Sequence, residues 1–210
     1  MKITVFGASG KTGRLLITEA LASGHEVVAY ARTKESINTV HPKLKVIVGQ
    51  LSNKEKLKSA ISGSDACIST LGGSSMTKHS TEIMEGIANI IAIMEELNVK
   101  RFIYMSSIGA GKSRNFMPQP VQFFIADLML RVPLADHTVN ENRIMNSKLE
   151  WTIIRLGGLT DGAKSDTLKH GSEFTKLTGN LRISRSGVAA FILSQLTDSN
   201  YLNKSVWLYE

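Results

Sequence analysis

The chain has 210 residues, 42% of them hydrophobic, with a formal charge of +7 and one cysteine. That length suits one sizeable core rather than two substantial domains, the lone Cys67 rules out an internal disulfide or a cysteine metal cluster, and no apolar stretch reaches bilayer-spanning length. Basic residues are scattered (Lys54, Lys56, Lys58; Lys112, Arg114; Lys164, Lys169; Arg182, Arg185) without an interleaved aromatic stripe, so nucleic acid is not an expected ligand. The segment from Met1 to Phe6 enters an apolar run at once and lacks signal-peptide chemistry, which makes a soluble cytoplasmic protein the expectation.

Lys2 to Phe6 reads as a buried strand that breaks at Gly7-Ala8-Ser9-Gly10-Lys11-Thr12-Gly13. Leu15, Leu16, Ala20 and Leu21 then recur at helical spacing, and Ser23-Gly24-His25 stops the run. Val27 to Ala31 is a second strand, apolar enough for burial on both faces of a parallel sheet. A third strand over Leu44 to Val48, a charged helix over Lys54 to Ile61 and a fourth strand over Ala66 to Thr70 follow, the last ending in Leu71-Gly72-Gly73. Ser80 to Leu97 carries one long apolar helical face, and Arg101 to Met105 is a fifth strand before Ser106-Ser107. Strand and helix alternating at this pitch predict an α/β, doubly wound, Rossmann-like fold whose mainly parallel central sheet is flanked by helices.

The second half is less periodic. Ser113 to Pro120 reads as a polar loop, Phe123 to Leu130 as a helix that Pro133 interrupts, and Leu134 to Asn146 as a further helix. Trp151 to Arg155 is a sixth strand, 160–179 reads as loops over the sheet edge, Ser186 to Leu196 is a last helix, and Val206 to Tyr209 is a terminal strand. The expectation is a single nucleotide-binding domain over 1–210, with a small substrate-capping region around 110–147 and 156–182.

Three glycines at positions 7, 10 and 13, directly after a strand and opening a helix, suit a tight turn, close backbone approach to a diphosphate, and close packing of the helix on the strand. Gly7, Ala8, Ser9, Gly10, Lys11, Thr12 and Gly13 are therefore candidate cofactor ligands, with the diphosphate at a helix N-terminus. A Walker loop is excluded because Val5 stands where its first glycine is needed. The second strand ends in Ala31-Arg32-Thr33-Lys34, with Arg32 where an NAD site usually has a carboxylate. A guanidinium there matches a 2'-phosphate, so the expected cofactor is NADP(H). Thr70, Leu71 and Gly72 after the fourth strand, and Ser106 and Ser107 after the fifth, are further candidates, because ligands of open parallel sheets bind beyond the strands' carboxyl ends.

These segments, together with Tyr30-Ala31-Arg32, Val48-Gly49, 65–72, 101–107, Glu150 to Arg155 and Ile183-Ser184-Arg185, resemble the atypical short-chain dehydrogenase/reductase group. That group includes biliverdin reductase B (flavin reductase), bacterial NADH-flavin reductase-like proteins and NmrA-like regulators, and the resemblance runs from Lys2 to about Tyr209. The chain departs from it at Gln50 and Gly187, where relatives often carry aspartate, and it has no Tyr-x-x-x-Lys dyad. The resemblance implies Ser107 as the catalytic residue, orienting nicotinamide or acceptor, and favours a monomer, with a homodimer open.

A ketone acceptor needs a proton donor aimed at the developing alkoxide, whereas a flavin or quinone spreads the incoming charge itself. The missing dyad thus points to an NADPH-dependent oxidoreductase acting on a flavin, quinone or related planar conjugated small molecule. The alternatives are an NADP(H)-sensing regulator of the NmrA-like kind, and an NAD(P)-dependent isomerase or dehydratase. Phe116, Phe123, Phe124, Met129 and Leu156 are candidates for an apolar wall against a planar acceptor. His137 and Glu141 lie one helical turn apart and are expected to form a surface pair rather than a relay, and histidines 25, 41, 79, 137 and 170 are too scattered for a metal site.

Overall fold

The computed structural model describes residues 1–73, 75–165, 167–172, 176–179 and 181–210. Its first half alternates as β1 (Lys2–Phe6), α1 (Lys11–Ala22), β2 (Glu26–Ala31), β3 (Leu44–Val48), α2 (Lys54–Ile61), β4 (Ala66–Ser69), α3 (Thr81–Glu96) and β5 (Arg101–Ser107). Local chemistry sets the boundaries. Gly24, at φ +83°, lets the chain turn out of α1, and the Asn53 side chain caps α2 by accepting from the Lys56 amide at 2.9 Å.

The second half departs from the sequence expectation in several places, the short strands over Gly158–Thr160 and Arg182–Ser184 among them. A short helix α4 (Gln119–Val121) runs into a π-helix over Gln122–Met129, followed by α5 (Arg131–Met145). Pro133 does not interrupt α5 but is its third residue, where a backbone N–H has no intrahelical acceptor and its loss removes nothing. β6 (Glu150–Leu156), β7 (Gly158–Thr160), β8 (Lys169–Gly171), β9 (Arg182–Ser184), α6 (Arg185–Ser194) and β10 (Lys204–Tyr209) complete the chain. The stretch 160–179, expected as loops, contains β8, which pairs antiparallel with β10 through Trp207 opposite Gly171. Lys169-His170-Gly171 has no apolar alternation to announce a strand; the open edge of β10 supplies the pairing. Residues 166, 173–175 and 180 of the expected capping region lie outside the described residues.

Among the described residues the main sheet has the order β3-β2-β1-β4-β5-β6-β10-β8, parallel except for β8, and β7 pairs with β9 separately. Strand order reverses at β1, which pairs with β2 on one side and β4 on the other. A crevice outside the carboxyl ends of β1 and β4 follows from that reversal. Apolar clusters fill both faces of the sheet, one built on α1 and α6, the other on α2 and α3 with Ile144 of α5. A third, smaller cluster joins Ile108, Met117, Ala126 and Leu134 to Leu177 and Tyr209. No helix among the described residues is long and apolar enough to cross a membrane.

α5 is tied to the sheet by charge as well as by apolar packing. Glu141 accepts from Arg155 Nε at 3.0 Å and Nη2 at 2.7 Å and from Ser106 Oγ at 2.7 Å, with the ionic side chains only 1% and 4% exposed. Register explains the meeting, since Ser106 of β5 lies opposite Arg155 of β6. The bidentate pair closes one end of the sheet with its charges compensated. Glu141→Ala, leaving a buried guanidinium without its carboxylate, is expected to lower unfolding free energy by roughly 3–5 kcal/mol in urea denaturation.

Candidate dinucleotide site

The turn after β1 is built by backbone meeting backbone. Gly7 has φ +78°, and a Cβ there would lie 2.7 Å from Thr70 Oγ1 and 2.9 Å from the Leu71 amide nitrogen. At Gly13 a Cβ would lie 2.3 Å from the Gly7 carbonyl oxygen. Both positions therefore admit only glycine. Thr70 locks the two strand ends together, its hydroxyl reaching the carbonyls of Phe6 at 3.1 Å and Gly7 at 3.2 Å. α1 begins at Lys11 with no side-chain cap and no acidic residue in its first turn, so its leading amides face an approaching anion uncompensated.

A cleft of about 760 Å³, its open mouth included, lies over this turn. Among the residues expected at the site, Gly7, Ser9, Gly10, Arg32, Thr70, Leu71 and Gly72 line it together. Ala8 is fully buried beneath the turn, and Thr12 and Gly13 are buried in the first turn of α1. Lys11 points elsewhere: its ammonium and Arg185 both pair with Asp161, at 3.0 and 2.6 Å. The Ser106 hydroxyl is engaged by Glu141 and is 4% exposed, while the half-buried Ser107 reaches, among the described residues, the Ile108 carbonyl at 3.2 Å.

Tyr30, Ala31, Gly49, Leu51, Glu82 and Ile83 also line the cleft and were not anticipated as site residues. Gly49, directly after β3, has the same strand-end position that flags Arg32 after β2, whereas Glu82 and Ile83 arrive through the docking of α3. Arg32 is exposed and makes no ion pair among the described residues.

At the inner end, α5 turns a polar face toward β5. Tyr104 Oη lies 2.9 Å from His137 Nδ1 and accepts from Asn140 Nδ2 at 3.1 Å. Burial pushes the Tyr104 phenol well above its ordinary range and the His137 imidazole below its own, the latter against an opposing pull from Glu141 and Asp136. Asp136 binds His79 Nδ1 and accepts from the Ser80 amide at 2.7 Å, fastening the start of α3 to α5. The expected surface pair of His137 and Glu141 is not formed. Both face the sheet, but each is claimed by a different partner on β5 or β6. The expected apolar wall is not assembled either, because Phe123, Phe124 and Met129 are 55%, 60% and 55% exposed on the π-helix, whereas Leu156 is 3% exposed in the sheet core.

A family model described as NAD(P)H-binding matches residues 7–199, nearly the whole of this architecture. The chain belongs to the NAD(P)H-binding family. It is 27% identical over 209 residues to a UPF0659 protein of Saccharomyces cerevisiae, covering 95% of this chain and 88% of that one. It is also 32% identical over 117 residues to a 3-beta-hydroxysteroid dehydrogenase of Mycolicibacterium neoaurum, covering 50% of this chain and 32% of the dehydrogenase, so the match spans about a third of that relative. Among solved structures, a short-chain dehydrogenase/reductase from Veillonella parvula in complex with NADP superposes with a TM-score of 0.83 at 21% identity, covering 100% of this chain and 94% of that one. ChuY, an anaerobillin reductase from Escherichia coli O157:H7, gives 0.83 at 23%, covering 100% and 97%. The family match makes this an NAD(P)H-binding chain, and the structural likenesses show a shared Rossmann-like fold.

The residues present suit a dinucleotide diphosphate, whose oxygens need backbone donors and a chain surface without side chains in the way. Gly13→Ala forces its new methyl into the Gly7 carbonyl. It is expected to destabilise the chain by about 1–3 kcal/mol and to abolish saturable NADPH fluorescence enhancement, whereas Ala22→Gly at the exposed end of α1 leaves nucleotide binding intact.

Proposed function

We propose that the protein is an NADP(H)-dependent oxidoreductase that passes hydride from the reduced cofactor to a planar conjugated acceptor such as a flavin or quinone. The observation that carries this reading is Arg32 lining the same cleft as Gly7 and Gly10 without an ionic partner among the described residues. In it the amides at the head of α1 hold the diphosphate and the Arg32 fork takes the 2'-phosphate. The bound dihydronicotinamide supplies the hydride; the chain binds, orients and keeps water from the reacting face.

What α5 presents supports this acceptor class. His137, Asn140 and Glu141 stand on its inner face, and Glu141 is neutralised by Arg155 rather than poised as an acid. An acceptor that delocalises the incoming charge makes the lighter demand on such a site. ChuY, similar in fold, is itself described as an anaerobillin reductase, which accords with a reductase reading. Ser107, half-buried at the end of β5, is proposed to orient the acceptor or nicotinamide from the rim. The chain as a whole is proposed to act as one unit over 1–210, capped by 110–147 and 156–182.

A second reading, an NADP(H)-responsive interaction protein, draws support from the exposed run Phe123, Phe124, Leu128 and Met129, which a purely monomeric enzyme has no need to display. Anaerobic assays separate the two. The oxidoreductase reading expects NADPH oxidation dependent on FMN, riboflavin or quinones. It also expects NADPH to bind more tightly than NADH, with Arg32→Ala losing about ten- to a hundredfold in NADPH affinity and little for NADH. Tight NADPH binding with no turnover across the acceptors would contradict it, and equal affinity for both nucleotides would remove the role of Arg32.

A further inference from the structure

The helical stretch from Gln119 to Met129 turns its large apolar side chains the wrong way for a helix that serves a core. Ala126 faces inward, packed with Ile108, Met117 and Leu134. Phe123, Phe124, Ile125, Leu128 and Met129 face outward, each between 36% and 62% exposed. Hydrogen bonds from i to i+5 bring residues four and five apart one above another, which sets Phe124 over Leu128 and Met129. The Phe123 and Phe124 rings meet edge to face with centroids 5.2 Å apart. Single exposed apolar residues are ordinary, but five within 123–129 form one continuous patch. An ion pair holds the patch in place: Arg114, in a short helix over Gly111–Phe116, reaches Asp127 through Nε and Nη2, both at 2.7 Å.

Charge around the patch is mostly of one sign. Arg114 and Arg131 line a hollow together with Ala126 and Asp127, and Lys112 is exposed two residues before Arg114. Lys176 is exposed beside Leu177, whose amide reaches the Phe116 carbonyl at 3.0 Å. Within 110–131 and 176–179 the one carboxylate side chain is Asp127, already paired with Arg114. An apolar face bordered by cations matches a surface that offers hydrocarbon beneath a layer of anions. A second copy of this chain matches it poorly, because an isologous contact sets these cations near their own equivalents and each copy carries +7. Three residues of α4 and eight of the π-helix are too few to cross a bilayer but enough to lie along one. We propose that the face from Phe123 to Met129, with Arg131 and the neighbouring cations, docks on the surface of an anionic lipid bilayer. The apolar side chains enter the acyl boundary, and the cations meet headgroup phosphates. Ile108, on which the helix rests, directly follows β5, so docking turns the carboxyl edge of the sheet toward the lipid. Neither nucleotide nor acceptor takes part, and the docking stands or falls apart from the oxidoreductase reading.

Co-sedimentation of the full chain with vesicles of phosphatidylcholine alone, and of phosphatidylcholine and phosphatidylglycerol in equal parts, tests the proposal. The wild type is expected to bind the mixed vesicles about tenfold or more tightly than the neutral ones. The double substitution Phe124→Ser with Leu128→Ser weakens binding to the mixed vesicles by about ten- to a hundredfold, and Arg131→Glu weakens it by about ten- to thirtyfold. Lys45→Glu, at the amino end of β3, changes the net charge equally but lies away from the face, and it shifts binding by less than about threefold. Melting temperatures stay near the wild-type value, because every replaced side chain is exposed. No binding to either vesicle, or equal binding to both, overturns the proposal. So does binding that Arg131→Glu and Lys45→Glu reduce alike while the double substitution leaves it unchanged, the behaviour of a basic protein held by charge alone. Sedimentation velocity gives the remaining outcome: a wild-type dimer that the double substitution dissociates, without vesicle binding, assigns the face to a second copy and overturns lipid docking.

Discussion

The site depends on one close approach: the end of β1, the first turn of α1 and the end of β4 share a space in which no Cβ can be accommodated at Gly7 or Gly13. Because the Gly7 carbonyl occupies the place of a Gly13 side chain, α1 packs tightly on the strand it follows. Because Gly7 lies against Thr70 and Leu71, the crevice between β1 and β4 is walled by backbone. In the proposed reading, anion recognition comes from main-chain amides that the fold holds in place, and it needs no charged side chain within the turn. Lys11, the one cation in the motif, is instead paired with Asp161.

The opposite wall solves a different problem. α5 turns four polar residues, Asp136, His137, Asn140 and Glu141, inward against the sheet. Each must find a partner or leave an expensive buried group. Glu141 is satisfied by Arg155 and Ser106, and Asp136 by His79 and the Ser80 amide. His137 and Asn140 share Tyr104 and keep one atom each unmatched among the described residues. Structural demands are met at the two carboxylates, and on α5 the unmatched buried atom is Asn140 Oδ1, while His25 Nδ1 and Gln195 Oε1 are unmatched elsewhere among the described residues.

Much of the fold was legible in the residues because local chemistry and tertiary demand agree there. Val27 to Ala31 is apolar throughout and becomes a strand buried on both faces, and Gly24 stops α1 where its φ of +83° is needed. Gly7, Gly10, Arg32 and 70–72 converge on one cleft because parallel strands place their carboxyl ends along one edge, a consequence of topology that spacing alone reveals. The failures have a common cause, which is partnership over distance. β8 exists because β10 offers an edge. The polar His137 and Glu141 read as surface residues because nothing in their own neighbourhood discloses Tyr104, Ser106 or Arg155 beneath them. Phe123 and Phe124 read as a pocket wall by composition, yet the π-helix carries them into solvent.

A phosphorylated dinucleotide is proposed to lie across the carboxyl ends of β1, β2 and β4, gripped by main-chain amides at one end and by a guanidinium at the other. Backbone and arginine side-chain chemical-shift mapping by NMR during NADP+ titration reads each grip separately. Saturating shifts are expected at the amides of 7–13 and 70–72 and at the Arg32 guanidinium, with the Arg32 signal silent when NAD+ replaces NADP+. Saturating shifts confined to the face around Phe123 and Phe124, or no response at 7–13, would contradict it.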